Sequence, residues 1–196
     1  MSSRQDRAAD GDPPRSPQDR SADADRALDA RLPTVAVVGA ASAPAAALVL
    51  ALGRQARRAG DATPPVAIDR VRGRVAAAHW RLADPASPSV VQALGGVDVV
   101  IWIAADTDLE GALSLRPSAR RELVVKSAHT LVTACAAAGV SRLIVVTSAQ
   151  VYGAAPDNPL PLPEGFPLNG ARDAGIVGDL LAVSYTHLTL PTKRIV

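Results

Sequence analysis

The feature that most constrains the fold is an alternation of short apolar runs with helical segments, which begins at Thr34. Four of the runs are nearly continuous in Val, Ile and Ala, and they read TVAVVG, PVAID, VDVVIWIAA and SRLIVVTS. Strands that are buried on both faces have this composition. A fifth, weaker strand is predicted within RVAAAHWRLAD.

Helical patterns separate these strands. The first, PAAALVLALGRQARRAG, has Pro44 in its first turn and Gly60 at its C-terminal end. A short helix is predicted in SPSVVQALGG, with Ser87 as its N-cap, and a long one over residues 118–138. This order predicts an α/β fold over residues 33–153, a doubly wound parallel sheet with strand order 3-2-1-4-5 and helices on both faces.

Composition limits the classes of function. The chain of 196 residues has 21 Lys and Arg against 19 Asp and Glu, and its basic residues form no stripe of the kind that binds nucleic acid. No apolar run approaches the roughly 20 residues that cross a bilayer, so no membrane partner is expected. The single cysteine, Cys135, rules out an internal disulfide and suits a reducing cytoplasm.

Three segments differ in character. Residues 1–32 have few large apolar side chains, so we expect a disordered tail before the domain of residues 33–182. The segment VSYTHLTLPT has an unusual composition for this chain. Codons can be chosen for it that reproduce, in frame, a transposon-end adapter used in sequencing libraries, and Ala182 and Lys193 on either side fit that frame. Residues 183–196 are therefore interpreted as a non-native, poorly ordered tail.

The turn after the first strand, GAASAPA, is the first candidate for ligand binding. Ligands of doubly wound sheets bind outside the carboxyl ends of the strands, and the N-terminus of the following helix favours an anion. Asp69 ends the second strand, Asp84 follows the third, and Ala104 and Ala105 follow the fourth. The same turn would also serve as an ordinary connection between a strand and a helix.

The stretch VVTSAQVYG, at the end of the fifth strand, resembles the serine strand of extended short-chain dehydrogenases/reductases of the NAD-dependent epimerase/dehydratase type. The resemblance covers residues 33–153, with several motifs in the family's order. It implies a Rossmann-type NAD(P)-binding domain of an oxidoreductase, incomplete after the fifth strand region. The family's G-x-x-G-x-x-G turn keeps only Gly39, because Ser42 and Ala45 replace the second and third glycines.

The resemblance also implies roles for single residues. Gly39, Ser42 and Ala45 would form the pyrophosphate turn, with the Ser42 hydroxyl able to donate a hydrogen bond. Asp69 would bind the ribose hydroxyls and repel a 2′-phosphate, which favours NAD. Arg70, Arg72 and Arg74 follow closely in the chain, so NADP remains an alternative cofactor.

Further along the chain, Asp84 would contact adenine. Ala104 and Ala105 would lie beside the cofactor. Ser148 would orient the substrate oxygen, as the one catalytic residue that matches. No metal site is expected, because His79 and His129 are isolated in the sequence.

The catalytic Tyr-x-x-x-Lys pair of the family has no counterpart in the sequence. Tyr152 is followed four positions later by Pro156, and Tyr185 by Thr189. Two hypotheses therefore stay open: an NAD(P)-binding domain of an epimerase/dehydratase-like enzyme that is inactive as this chain, or a non-catalytic nucleotide-binding sensor or interaction module on the same fold.

The fifth strand carries a further expectation. In the complete fold of the family further strands would cover it, whereas in this chain the strand that carries RLIVVTS would form an apolar sheet edge without proline or an inward charge. Such an edge can pair with other chains, so self-association is expected.

Overall fold

The computed structural model describes residues 32–60, 63–76, 78–104, 115–163, 165–172 and 175–189. The strands are β1 (Val35–Val38), β2 (Val66–Asp69), β3 (His79–Leu82), β4 (Val99–Ile103) and β5 (Arg142–Val146). The helices are α1 (Ala43–Arg58), α2 (Val90–Ala93), α3 (Pro117–Ala138) and α4 (Gly175–Thr189), with a 3₁₀ turn at Ala149–Tyr152. The predicted disordered tail lies outside the described residues, apart from Leu32.

The five strands form one parallel sheet in the order β3-β2-β1-β4-β5. The central strand is β1, where Val37 lies opposite Ala67 of β2 and Ile101 of β4. The predicted fold class and strand order are confirmed. β5 pairs with β4 alone among the described strands, so it is an edge of the sheet, as predicted.

Two hydrophobic clusters cover the two faces of this sheet. One contains Val37 and Ala67 of the strands with Ala45 and Val49 of α1. The other, larger cluster combines the opposite faces of the strands with α2, α3 and α4, and Leu131 of α3 is fully buried in it. Neighbouring strand residues thus point to opposite clusters, which explains why the strands have no polar alternation.

The predicted helix ends are confirmed for the two longer helices of this sheet. α1 begins with Pro44 in its first turn and ends just before Gly60, and α3 is followed by Gly139. The predicted N-cap of the short helix is wrong, since Ser89 and not Ser87 precedes α2. The chain makes a turn first, in which the Ser87 carbonyl accepts the Val90 N–H at 3.0 Å, so the helix begins later.

Helix α4 corrects the expectation of a poorly ordered tail for residues 183–189, and the remainder of that tail, residues 190–196, lies outside the described residues. The helix continues to Thr189, and Val183 is 0% exposed beside the buried Leu180 and Leu181. The physical reason is local: the apolar positions of GDLLAV continue into the unusual segment at helical spacing, and the Tyr185 hydroxyl donates to the Leu168 carbonyl at 3.3 Å. The adapter origin of this segment stays a prediction.

None of the helices in the described part of the chain is both long and apolar enough to cross a membrane.

Candidate functional site

A cleft of about 310 Å³ opens at the carboxyl ends of the central strands. Its strand side is formed by Gly39, Asp69, Arg70, Asp84, Ile103 and Ala104. Its helical side is formed by Arg120, Leu123, Val124, Ile176, Asp179 and Leu180. This is the location at which doubly wound sheets bind ligands, and the volume is at the lower end of the range for small-molecule sites.

Gly39 makes the turn from β1 toward α1 possible. Its φ is +81°, in the left-handed region that side chains disfavour, and a Cβ there would lie 3.4 Å from the Ile103 carbonyl oxygen. A larger residue would strain the backbone, although its Cβ would make only an ordinary van der Waals contact with β4. The sequence therefore retains glycine at the position with the strictest backbone requirement.

The backbone N–H groups of the turn are already engaged inside the protein. Gly39 and Ala40 donate to the Ile68 carbonyl at 3.0 and 3.3 Å, and Ser42 donates to the Gly39 carbonyl at 3.3 Å. Ala41 donates to Asp69 Oδ2 at 2.9 Å. Donors for an anion must then come from the first turn of α1, where Pro44 contributes no N–H.

The hydroxyl of Ser42 differs from its expected role as a donor to pyrophosphate. Ser42 Oγ donates to the Gly39 carbonyl oxygen at 2.9 Å, so its only proton is used within the turn. Phosphate oxygens accept hydrogen bonds, and in this arrangement the hydroxyl has no proton to offer them. Donation to pyrophosphate stays a prediction, because a hydroxyl can rotate to another acceptor.

Asp69 connects the end of β2 to the turn after β1. Its Oδ2 accepts the Ala41 N–H at 2.9 Å and its Oδ1 accepts the Arg70 N–H at 2.7 Å. A carboxylate offers about four acceptor sites, so two bonds leave capacity for the hydroxyls of a ribose. The carboxylate is half-buried at the cleft, which suits the predicted ribose contact while adding a structural role that the sequence did not indicate.

The other predicted cofactor residues fall into three groups. Asp84 lines the cleft with Oδ1 accepting the Ala86 N–H at 2.8 Å, and Ala104 lines it as a small, buried side chain. Ala45 is 0% exposed and packs between α1 and the sheet, so its side chain contacts no ligand. Ala105 lies outside the described residues.

Ser148 is not among the residues that line the cleft. It precedes the 3₁₀ turn, and its Oγ accepts the Gln150 N–H at 3.3 Å. Tyr152, at the end of that turn, is half-buried with its ring 6.4 Å from that of Phe166. Ser148 nevertheless lies at the same carboxyl end of the sheet as Ala104, because it follows Val146 by two residues and the Val146 carbonyl accepts the Ala104 N–H at 3.0 Å.

The helical side of the cleft was missed by the sequence predictions. Arg120 Nε donates to Asp179 Oδ2 at 2.5 Å, and Arg121 Nε donates to Asp179 Oδ1 at 3.2 Å. Because β5, the 3₁₀ turn and a long loop separate α3 from α4 in the chain, no local spacing in the sequence indicates this pairing. In the described residues, no group of three His, Cys, Asp or Glu side chains could hold a metal ion.

A family model described as NAD(P)H-binding matches residues 49–174, more than half of the chain. The chain belongs to this NAD(P)H-binding family. The match begins within α1 and ends just before α4, so it includes both Asp69 and Asp84 at the cleft. The prediction of a dinucleotide-binding domain is confirmed at this level.

Solved structures similar to this NAD(P)H-binding chain belong to the predicted epimerase/dehydratase type. The DesIV double mutant, a dTDP-glucose 4,6-dehydratase from Streptomyces venezuelae, aligns with a TM-score of 0.65 and 22% identity over 82% of this chain and 54% of its own. MoeE5, in complex with UDP-glucose and NAD, aligns with a TM-score of 0.52 and 25% identity over 79% and 48% of the two chains. The predicted resemblance in fold is confirmed.

The chain spans about half the length of these solved structures. A search of curated protein sequences finds no match.

Proposed function

We propose that the cleft binds a dinucleotide and prefers NAD to NADP. Asp69 supports the preference, because its carboxylate lies at the end of β2 in the cleft and retains acceptor capacity for ribose hydroxyls. A 2′-phosphate at that position would bring negative charge against the carboxylate. Arg70 lines the cleft beside it and is the residue through which NADP could still bind.

We propose further that binding is weak. The N–H groups of residues 39–42 are engaged in internal hydrogen bonds, so the turn offers a pyrophosphate fewer donors than an open glycine turn would. The observation that supports binding at all is the coincidence of Gly39, Asp69 and Asp84 at one cleft in a family of NAD(P)H-binding proteins.

For catalysis, we infer that this chain performs no dehydrogenase or epimerase turnover. Helix α4 faces the cleft with Ile176, Asp179 and Leu180, and none of these can act as a phenolic acid/base or an ammonium group. The sequence has no Tyr-x-x-x-Lys pair, and general acid/base help of this kind contributes roughly 10²–10⁴-fold in rate. Both hypotheses, the NAD(P)-binding domain of an epimerase/dehydratase-like enzyme and the nucleotide-binding sensor or interaction module, are consistent with this lack of turnover.

Titration calorimetry with NAD and NADP tests the binding proposal. We expect measurable heat with both and a lower dissociation constant for NAD; tighter NADP binding would refute the preference.

For turnover, cofactor reduction is followed spectrophotometrically with nucleotide-sugar and alcohol substrates. Reduction above background that Ser148→Ala abolishes would contradict the inactive assignment.

Two broader expectations belong to the same proposal. The single cysteine supports a reducing cytoplasm as the compartment. The position of β5 at the edge of the sheet supports self-association through that strand.

A further inference from the structure

A buried ion cluster joins α3 to α4 at the rim of the cleft. Asp179 is 4% exposed and accepts a hydrogen bond from each of two guanidinium groups, those of Arg120 and Arg121. Burial of an ionised carboxylate is costly unless charged partners compensate it, and here two cations surround one anion. The cluster therefore carries an excess positive charge.

The two arginines of this cluster are not equivalent. Arg121 is 40% exposed in its side chain and turns away to donate through NH2 to the Arg172 carbonyl at 2.5 Å. Arg120 is 12% exposed and lines the cleft, and only its Nε donates to Asp179. Within the described residues, the NH1 and NH2 groups of Arg120 donate to no protein acceptor.

Gly178 explains how Arg121 reaches its partners. A Cβ at this position would collide with the Arg172 carbonyl and with Arg121 NH2. Glycine at 178 therefore provides the space through which the Arg121 side chain crosses α4. Arg121 connects α3 to α4. Asp179 holds the Arg120 guanidinium through Nε, so its NH1 and NH2 groups remain as a pair of donors on the other edge.

The surroundings of Arg120 strengthen its attraction for an anion. Leu123, Ile176 and Leu180 line the same side of the cleft and lower the local polarity. Charge-assisted hydrogen bonds gain strength in such surroundings. On the opposite side, Gly39 belongs to the turn whose N–H groups are engaged internally, so an anion in this cleft lacks donors from the turn.

We propose that Arg120 is the anion-binding residue of the cleft and binds a phosphate group of the ligand. It would do so in place of the N–H groups of residues 39–42, which are engaged in internal hydrogen bonds. This inference deepens the proposed dinucleotide function and rests on it. The phosphate can come from the pyrophosphate of the dinucleotide or from a second, separately bound phosphorylated ligand.

Calorimetric titration of the whole chain at low salt tests the proposal with NAD and with inorganic pyrophosphate as probes. The variants are Arg120→Gln and, as the matched control, Arg121→Gln, which alters the same ion cluster at a side chain that does not line the cleft. We expect Arg120→Gln to weaken pyrophosphate binding about 10-fold to 100-fold and to reduce its salt dependence, while Arg121→Gln stays within about 2-fold of the parent.

Folding is monitored for every variant by circular dichroism. If Arg120→Gln does not fold, the double variant Arg120→Gln/Asp179→Asn replaces it, because it removes the uncompensated buried carboxylate together with the cation. The same loss of pyrophosphate binding is expected from it.

The outcomes separate this inference from the dinucleotide proposal. Arg120-dependent pyrophosphate binding that competes with NAD supports the pyrophosphate of the dinucleotide as the ligand group, and Arg120-dependent binding alongside bound NAD supports a separate phosphorylated ligand. Pyrophosphate binding without NAD binding refutes the dinucleotide function alone. Unchanged pyrophosphate affinity in Arg120→Gln, equal losses in both single variants, or no pyrophosphate binding by the parent chain overturns the role of Arg120.

Discussion

Replacement of Asp69 by alanine should weaken both ligand binding and the fold. The carboxylate accepts the N–H of Ala41, 28 positions earlier in the chain, at 2.9 Å, and this half-buried bond holds the turn after β1 to the end of β2. The second bond, to the neighbouring Arg70 N–H, is exposed and should contribute little. The variant therefore leaves one tertiary N–H donor without its acceptor.

The magnitude follows from the Ala41 bond. A hydrogen bond to a charged group contributes roughly 1.5–3 kcal/mol, and its partial exposure lowers this to about 1–2 kcal/mol. For a domain of this size each kcal/mol shifts the Tm by about 2–4 °C, so we expect the Tm of Asp69→Ala to fall by about 2–8 °C. Loss of the ribose contacts should weaken NAD binding by about 10-fold and reduce the preference over NADP.

Urea denaturation and calorimetry on the same preparations measure the two effects. Asp98→Ala is the control, because Asp98 Oδ2 accepts the Thr34 N–H at 2.7 Å in a similar tertiary bond, but Asp98 is not among the residues that line the cleft. It should lose stability and keep its NAD affinity. An Asp69→Ala variant as stable as the parent chain would refute the structural role, and equal NAD affinity in both variants would refute the ribose contact.

Three further outcomes are expected. Val183→Ala should lower the free energy of unfolding by about 2 kcal/mol, because the Val183 side chain of α4 is fully buried in the larger hydrophobic cluster. An unchanged free energy of unfolding in urea denaturation would indicate that this segment does not pack against the core. Burial raises the pKa of the Cys135 thiol to about 12, well above its ordinary range, so at pH 8 iodoacetamide should alkylate the native chain about 1,000-fold more slowly than the chain in urea; comparable rates by mass spectrometry would contradict this burial. Light scattering after size exclusion should show concentration-dependent association through β5, which an Ile144→Lys substitution reduces; a monomer at tens of micromolar would argue against an active edge.

The strands and their order could be predicted from the sequence, because their burial on both faces leaves continuous apolar runs and parallel strands need helical crossovers. VAVV and VVIWI each carry that signal within a few residues. The residues on the strand side of the cleft could be predicted as well, since Gly39, Asp69 and Asp84 lie at or just after the carboxyl ends of strands.

The helical side of the cleft could not be predicted in the same way. Arg120 and Asp179 are 59 positions apart, and their pairing depends on how α3 packs against α4. Two adjacent arginines near the start of a helix are equally typical of a solvated surface. No periodicity in the sequence identifies Asp179 as the carboxylate to which both arginines donate. The hydrogen bond of the Ser42 hydroxyl to the Gly39 carbonyl was also not indicated by the sequence, because the choice of acceptor for one hydroxyl depends on local backbone geometry.

The central position of β1 has a consequence for how the chain reaches its native state. β1 must pair with β2 on one side and with β4 on the other, and the start of β4 lies 64 positions further along the chain, as the Thr34–Asp98 bond shows. Closing a loop of that length costs conformational entropy before any pairing compensates for it, and parallel sheets as a class fold slowly for this reason. During synthesis the strands β1, β2 and β3 emerge first. The edge of β1 that pairs with β4 therefore stays unpaired until residues 99–103 have left the ribosome.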